Sequence, residues 1–501
     1  MFQKIKGLLF RNVTTRQTVA KNTFWLAVSN FGGRLLRAVI IIYAARVLGA
    51  AEWGVFSYAV SLVAFIAVFT DIGISPVLIK ETAKMREDIE SRRKILSTSF
   101  ILKIALLTMG ILLILFVAPR ITTVEGVKSI LPIVIFIFAF DTFRQFGFSL
   151  IEALEKMEWE AGLYLLTNAA IVAAGFIAFY LSRTVTAFTY SYAIGTGIGM
   201  VATAFALRKY LSGLFSYFSK DSFKSILSSA WPFAVSGILG VLMINTDILL
   251  IGWLRSAEDV GLYSAAQRIV QLLYLLPAIL GTSLLPAFAR LANRDNEKLR
   301  RMFEKVLSFA FLMAIPIAIG GFVLGKEIIS FVFGSGYLKA SSSFQILIVT
   351  ILIDFPVVIL GNLVFAYNKQ KNLTLYAAIG GVANVIFDLI LIPIFGIVGS
   401  AFATLFAQFL SNIYLRWIAK KVNYFRILPY LKKTFLATAV MAIVVLALQS
   451  FGVHVLIIIA SAMAVYLGLL LVLKEPLLKE IKTILQPNAL DAQVSGEPAA
   501  L

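Results

Sequence analysis

Apolar residues recur in unbroken runs of about 20 from Asn22 to Lys474, with short polar stretches between them. A helix rises about 1.5 Å per residue, so each run matches a hydrocarbon core of roughly 30 Å. Membrane strands would be about half that length and would alternate apolar with polar positions. The run from Ile111 to Ala118 does not alternate, and the others are like it. The pattern predicts helical spans at 22–45, 54–76, 95–118, 129–151, 161–181, 187–207, 229–253, 263–286, 306–324, 343–366, 373–393, 396–415, 434–450 and 454–473. The expected fold class is an all-α integral membrane protein of about fourteen transmembrane helices.

Composition agrees, with 60% of the 501 residues apolar and 14% charged. The mean hydropathy is +0.91, beyond the range of a water-soluble domain. A formal charge of +19 suggests nucleic acid until its placement is considered. About 33 of the 45 cations fall in alternate loops, including Lys80 to Lys94, Arg290 to Lys305 and Arg416 to Lys433. That bias marks the cytoplasmic side of a cell membrane, with both termini on it, and contact with anionic membrane lipids; no nucleic-acid partner is expected. Cysteine is absent and His454 is the only histidine, which excludes disulfides, thiolate metal sites, cysteine nucleophiles and a buried Ser-His-Asp triad. No catalytic residue, resident metal or cofactor is expected. The segment Met1 to Lys21 is basic and lacks an apolar core with a cleavage site, so no removable signal peptide is expected.

The chain also resembles itself. Ala27-Val28-Ser29 recurs as Ala234-Val235-Ser236, and Gly54-Val55-Phe56-Ser57 as Gly261-Leu262-Tyr263-Ser264, both at an offset of 207. Pro76 with Lys80 matches Pro286 with Arg290, and Leu163-Tyr164 matches Leu375-Tyr376. Six spans per copy make the repeat parallel, which favours alternating access around a central cavity. The expected organisation is a cytoplasmic basic N-terminus at 1–21, an N-lobe at 22–208, a cytoplasmic linker at 209–228 and a C-lobe at 229–418. Two extra spans follow at 419–474, with a cytoplasmic tail at 475–501, disordered after Gln486.

Ionisable groups inside spans are costly, so they face water, a partner or a ligand. Arg34 and Arg37 lie on one face of the first span, with Asn30 one turn earlier. Like charges on one face are tolerable if an anion meets them, and guanidinium forks suit phosphate or pyrophosphate oxygens. The alternative is that one of them snorkels or pairs with Asp71. Arg268 with Gln267 in the second copy and Arg144 in the fourth span extend the cationic set. The in-span acids Asp71, Asp141, Asp247, Asp354 and Asp388, with Asn245 and Asn384 beside two of them, suggest coupling to Na+ or H+. Asp141 and Arg144, three apart, also fit a local ion pair. Three features carry a bland reading: Gly195, Gly197 and Gly199 as close helix packing, Glu152, Glu155, Glu158 and Glu160 as a solvated helix end, and Lys103 as a snorkelling cation.

Several segments resemble the polysaccharide flippases of the multidrug/oligosaccharidyl-lipid/polysaccharide exporter superfamily. They are Asn22 to Leu26, Leu48 to Ala59, Asp71 to Ser75, Asn245 to Asp247, Val260 to Ala266, Phe333 to Tyr337 and Pro393 to Thr404. The resemblance covers nearly the whole chain. It implies movement of a polyprenyl-pyrophosphate-linked oligosaccharide from the cytoplasmic to the outer leaflet, driven by ion gradients without an ATP site. By span position it assigns the cavity arginines to Arg34, Arg37 and Arg268. Other polysaccharide-assembly proteins are expected partners, and the chain is expected to be a monomer. A multidrug antiporter of the same superfamily is the nearest rival, and paired arginines disfavour cationic drugs. A membrane glycan polymerase or ligase is a weaker one, because the longest external segment, about Gly325 to Ser342, holds a single acid, Glu327.

Overall fold

The computed structural model describes residues 15–85 and 88–477; the expected disordered tail after Gln486 lies outside them. Among the described residues there are helices and turns and no strand. The chain forms two compact units, Met1–Gly261 and Leu262–Leu501.

In the first unit, α1 (Thr15–Asp71) holds two predicted spans in one element, folded at Gly49, whose φ of 76° and ψ of 171° a side chain would strain. After the break at Ile72 and Gly73 come α2 (Ile74–Lys84) and α3 (Ile89–Leu112). The latter continues through a π-helical turn at Leu113–Val117 into Ala118–Ile121. Pro119 lies at the start of that last segment, where its missing N–H and its ring favour a widened turn. Then follow α4 (Val127–Ala153), α5 (Met157–Leu181), α6 (Val185–Leu211), α7 (Lys220–Ile244) and α8 (Thr246–Leu254). The α5 helix packs along α1 and α6, and α6 along α4. The segment linking α6 to α7 is strapped to α3, where Ser97 Oγ donates to the Leu214 carbonyl at 2.6 Å and the Ser219 N–H to Thr98 Oγ1 at 3.1 Å. Both α7 and α8, which the repeat assigns to the second copy, are compact with the first unit.

The second unit contains α9 (Ala257–Leu273, its first turn in unit one), α10 (Leu275–Leu291), α11 (Asn296–Val323), α12 (Gly325–Phe333), α13 (Ser341–Val349) and α14 (Ile351–Ala366). The long α15 (Gln370–Val422) folds back at Gly396, with φ 60°, and α16 (Leu428–Ser450) and α17 (Val455–Val472) pack together as a pair.

Ten segments are long and apolar enough to cross a membrane, and two of them, Lys21–Asp71 with 51 residues and Gln370–Val422 with 53, are each long enough for two crossings. Counting those twice and adding α4 and the α9–α10 pair, all fourteen predicted spans fall on helix. Four are broken where continuous helices were expected: the second at Ile72 and Gly73, the tenth at Thr350, and the seventh and eighth. Asn245 interrupts the seventh between α7 and α8, and Tyr274 the eighth between α9 and α10. Pro277 explains the break at Tyr274, because it sits in the first turn of α10, where no N–H is needed.

Repeat-related glycines meet face to face. A Cβ on Gly54 would strike the Ala257 carbonyl oxygen, and one on Gly261 the Ala50 carbonyl oxygen, so backbone lies on backbone at this crossing. The close-packing reading of Gly195 and Gly199 holds: a Cβ at either would meet Ile171 or Thr167 on α5. The glutamates after the fourth span are not a solvated helix end. Glu158 pairs with Lys21 at 2.7 Å, their side chains 9% and 1% exposed, because the tight turn at Glu155 folds the start of α5 against α1.

Candidate functional site

The first unit holds a cavity of about 530 Å³. One side is apolar, from Val60, Val63, Ala64 and Ala67 on α1. The polar wall is supplied by five helices: Arg37, Thr70 and Asp71 from α1, Ser75 from α2, Lys103 from α3, Asp141, Thr142 and Gln145 from α4, and Tyr192 from α6.

Arg37 is fixed from behind. Its Nε donates to Asn168 Oδ1 at 2.9 Å, and the fully buried Asn168 donates to the Tyr164 carbonyl at 2.7 Å. The guanidinium carbon lies 5.8 Å from the Tyr164 ring and 6.0 Å from the Tyr192 ring, within cation–π range. Among the described residues no acceptor takes its terminal nitrogens, which leaves the fork available at the cavity. Arg34, one turn earlier, is exposed and lies off this wall, and Asn30 returns its amide to the Leu26 carbonyl at 2.9 Å.

Asp71 pairs with Lys103 and not with an arginine of the first span. The Lys103 ammonium donates to Asp71 Oδ1 and, at 2.9 Å, to Ser75 Oγ; the serine hydroxyl in turn donates to Asp71 Oδ1 at 2.7 Å. Lys103 is therefore not a snorkelling cation. It is 3% exposed, its stem lies among apolar helices, and its charge is met inside by Asp71, so reaching for solvent brings it nothing.

Asp141 and Arg144 form the local ion pair their spacing suggested, through Arg144 Nη2 and, at 3.2 Å, Nε. Arg144 is 2% exposed and stands behind the wall, against the rings of Phe148 at 4.9 Å and Tyr164 at 5.7 Å. Tyr164 is thus flanked by Arg37 and Arg144. Two cations, Arg37 and Lys103, and two carboxylates, Asp71 and Asp141, line the cavity, and Arg144 behind it interacts with both Asp141 and Glu160.

A second cluster lies in the second unit, where the turn at Gly396 brings the halves of α15 together. Asp388 Oδ2 accepts from Asn384 at 3.1 Å and Oδ1 from Ser400 Oγ at 2.8 Å. Thr404 donates to the Ser400 carbonyl at 3.1 Å and lies 3.2 Å from the Tyr263 hydroxyl. All five side chains are buried. Such an oxygen-rich nest suits a small hard cation or a proton. Asp354 sits apart on α14, near Thr350 and Tyr274, which hydrogen-bond each other at 2.8 Å. Arg268 on α9 reaches Gln271 at 3.4 Å. Asp247 is buried in the first turn of α8, beside the break at Asn245.

The structure thus gathers Arg37, Asp71 and Asp141 at one cavity, with Arg144 behind, and Asn384 with Asp388 at another locus. Sequence reading missed Ser75, Asn168, Tyr192, Ser400, Thr404 and Tyr263. The four-residue spacings of 384 with 388 and 400 with 404, on either side of Gly396, are the one signal that pointed to the second cluster.

Comparison with known proteins adds the following. The family model described as "Polysaccharide biosynthesis protein" matches residues 19–292, and the MatE model matches 232–390. A "Probable low-salt glycan biosynthesis flippase" of Haloferax volcanii is 27% identical over 390 residues, 77% of this chain and 80% of that protein. A "Capsular polysaccharide biosynthesis protein" of Staphylococcus aureus is 21% identical over 422 residues, 81% of this chain and all of that one. Among solved structures, "Lipid II flippase MurJ, inward closed conformation" superposes with a TM-score of 0.76 at 20% identity, covering 90% of this chain and 99% of that chain.

Proposed function

Because the chain belongs to the polysaccharide biosynthesis protein family, within the superfamily that also holds the multidrug exporters, we propose that it is a flippase for a polyprenyl-pyrophosphate-linked oligosaccharide. It carries this lipid from the inner to the outer leaflet of the cell membrane by alternating access, for surface-glycan assembly, and changes no covalent bond. The flippase and capsular relatives support the class of cargo. The observation that carries the anionic headgroup is Arg37, held by Nε at 2.9 Å from Asn168 with its fork open to the cavity that Lys103 also lines.

In this reading Arg37 binds the pyrophosphate, Arg34 and Arg268 meet it along its path, and Arg144 acts through Asp141 and the Tyr164 ring. The nest of Asn384, Asp388, Ser400 and Thr404 takes Na+ or H+ and couples the cycle to its gradient, with Asp247 and Asp354 as further ionisable groups. Both termini are cytoplasmic, following the Lys and Arg bias of the loops. The chain works as a monomer beside other polysaccharide-assembly proteins.

The test is transbilayer movement of a fluorescent polyprenyl-pyrophosphate oligosaccharide in proteoliposomes. Arg37→Ala should slow it by about 100-fold, the loss of one charge-assisted contact, with Arg34→Ala and Arg268→Ala slower to lesser degrees. If the wild type leaves this lipid in place and exports an organic cation, the multidrug antiporter replaces the flippase.

A further inference from the structure

Lys103 and Asp71 are unequal partners. The lysine side chain is 4% exposed and the carboxylate 33% exposed, so the cation is locked in place and the acid is the partner that can leave. Asp71 is also the last residue of α1, where the helix dipole disfavours negative charge, and the chain after it turns sharply at Ile72 and Gly73, with φ of 37° and 80°. What holds the carboxylate there is Lys103 and Ser75. All three residues line the cavity that contains Arg37.

Given the headgroup site proposed above, we infer that Asp71 is a built-in competitor of the substrate. Its carboxylate pairs with Lys103, and the pyrophosphate must displace it to reach this second cation. An ammonium has three hydrogens, and two are engaged by Asp71 and Ser75, so an arriving phosphate meets one at once and gains the stronger pairing when the carboxylate swings away. The carboxylate then returns to Lys103 as the phosphate departs. A carrier must bind firmly enough to load and weakly enough to unload, and a tethered anion keeps the affinity in that range. The other charged side chains at the cavity are Arg37 and Asp141, the latter paired with Arg144 and within electrostatic reach of Arg37.

The experiment measures binding of farnesyl pyrophosphate to the purified full chain in detergent by calorimetry. Asp71→Asn should tighten binding by about tenfold, and Lys103→Met should weaken it by about the same factor. In the Lys103→Met background, Asp71→Asn should have little further effect, because the competition has lost its object. Ser75→Ala keeps both charges and loosens their tie, so it should tighten binding by about threefold and serves if Asp71→Asn does not fold. Unchanged or weaker binding in Asp71→Asn or Ser75→Ala, with Arg37→Ala still abolishing it, overturns the inference alone. So does a tightening that persists without Lys103. If the wild type binds no prenyl pyrophosphate, the headgroup site itself fails and takes this inference with it.

Discussion

Arg144 carries a full charge into an interior where Asp141 is its ion-pair partner and Glu160 a second carboxylate within electrostatic reach, while Nη1 is buried without a hydrogen-bond acceptor among the described residues. The pair is lopsided, with Arg144 2% exposed and Asp141 46% exposed at the side chain. Deleting the acid takes from a buried guanidinium the carboxylate it hydrogen-bonds, leaving two aromatic rings and the more distant Glu160; deleting the base leaves a carboxylate still half in solvent. Asp141→Asn should therefore lower the unfolding free energy by about 3 kcal/mol, and Arg144→Leu by less. Thermal unfolding in detergent, followed by tryptophan fluorescence, gives the order, and the reverse order would show that the pair is held by something else. The pairing was legible in the i, i+3 spacing; the lopsidedness was not, because it is set by Phe148 and by Tyr164 from another helix. Arg34 and Arg37 teach the same point. Spacing puts both on one face, yet only Arg37 lines the cavity, because Asn168 of α5 catches its Nε.

Among elements, span positions were legible because an apolar run of about 20 residues has one economical conformation in hydrocarbon. The break at Tyr274 was hidden, since apolar composition continues across it, whereas the break at Asn245 falls on the polar run Asn245-Thr246-Asp247, whose residues were read for their chemistry and not as a helix end. The folds within α1 and α15 depend on backbone angles at Gly49 and Gly396 that a side chain resists. Gly49 has open space around its Cβ position, whereas Gly54 has backbone there. Gly49→Ala should thus cost about 1–2 kcal/mol of local strain, and Gly54→Ala about 3 kcal/mol or more through overpacking. Folded yield on size exclusion should fall in that order, and equal yields would mean that the crossing at Gly54 relaxes.

For the whole molecule, the absence of cysteine makes sidedness directly measurable, since a single introduced thiol has no background. Ser335→Cys, in the segment expected outside, should react with a membrane-impermeant maleimide on intact cells. Ser212→Cys, in the expected cytoplasmic linker, should react only after permeabilisation. The opposite labelling would invert the topology and with it the direction of transport. The duplication was legible from matched segments alone, whereas the meeting of its mates at Gly54 and Gly261 was not, because an offset in sequence carries no distance. That meeting has a genetic consequence. At most tight contacts a larger side chain on one partner can be accommodated by a smaller one on the other. Here each Cβ would collide with a carbonyl oxygen, an atom every residue has, so no substitution at Ala257 or Ala50 makes room. A selection for second-site suppressors of Gly54→Val should return reversion at codon 54 and no compensating change at its mate.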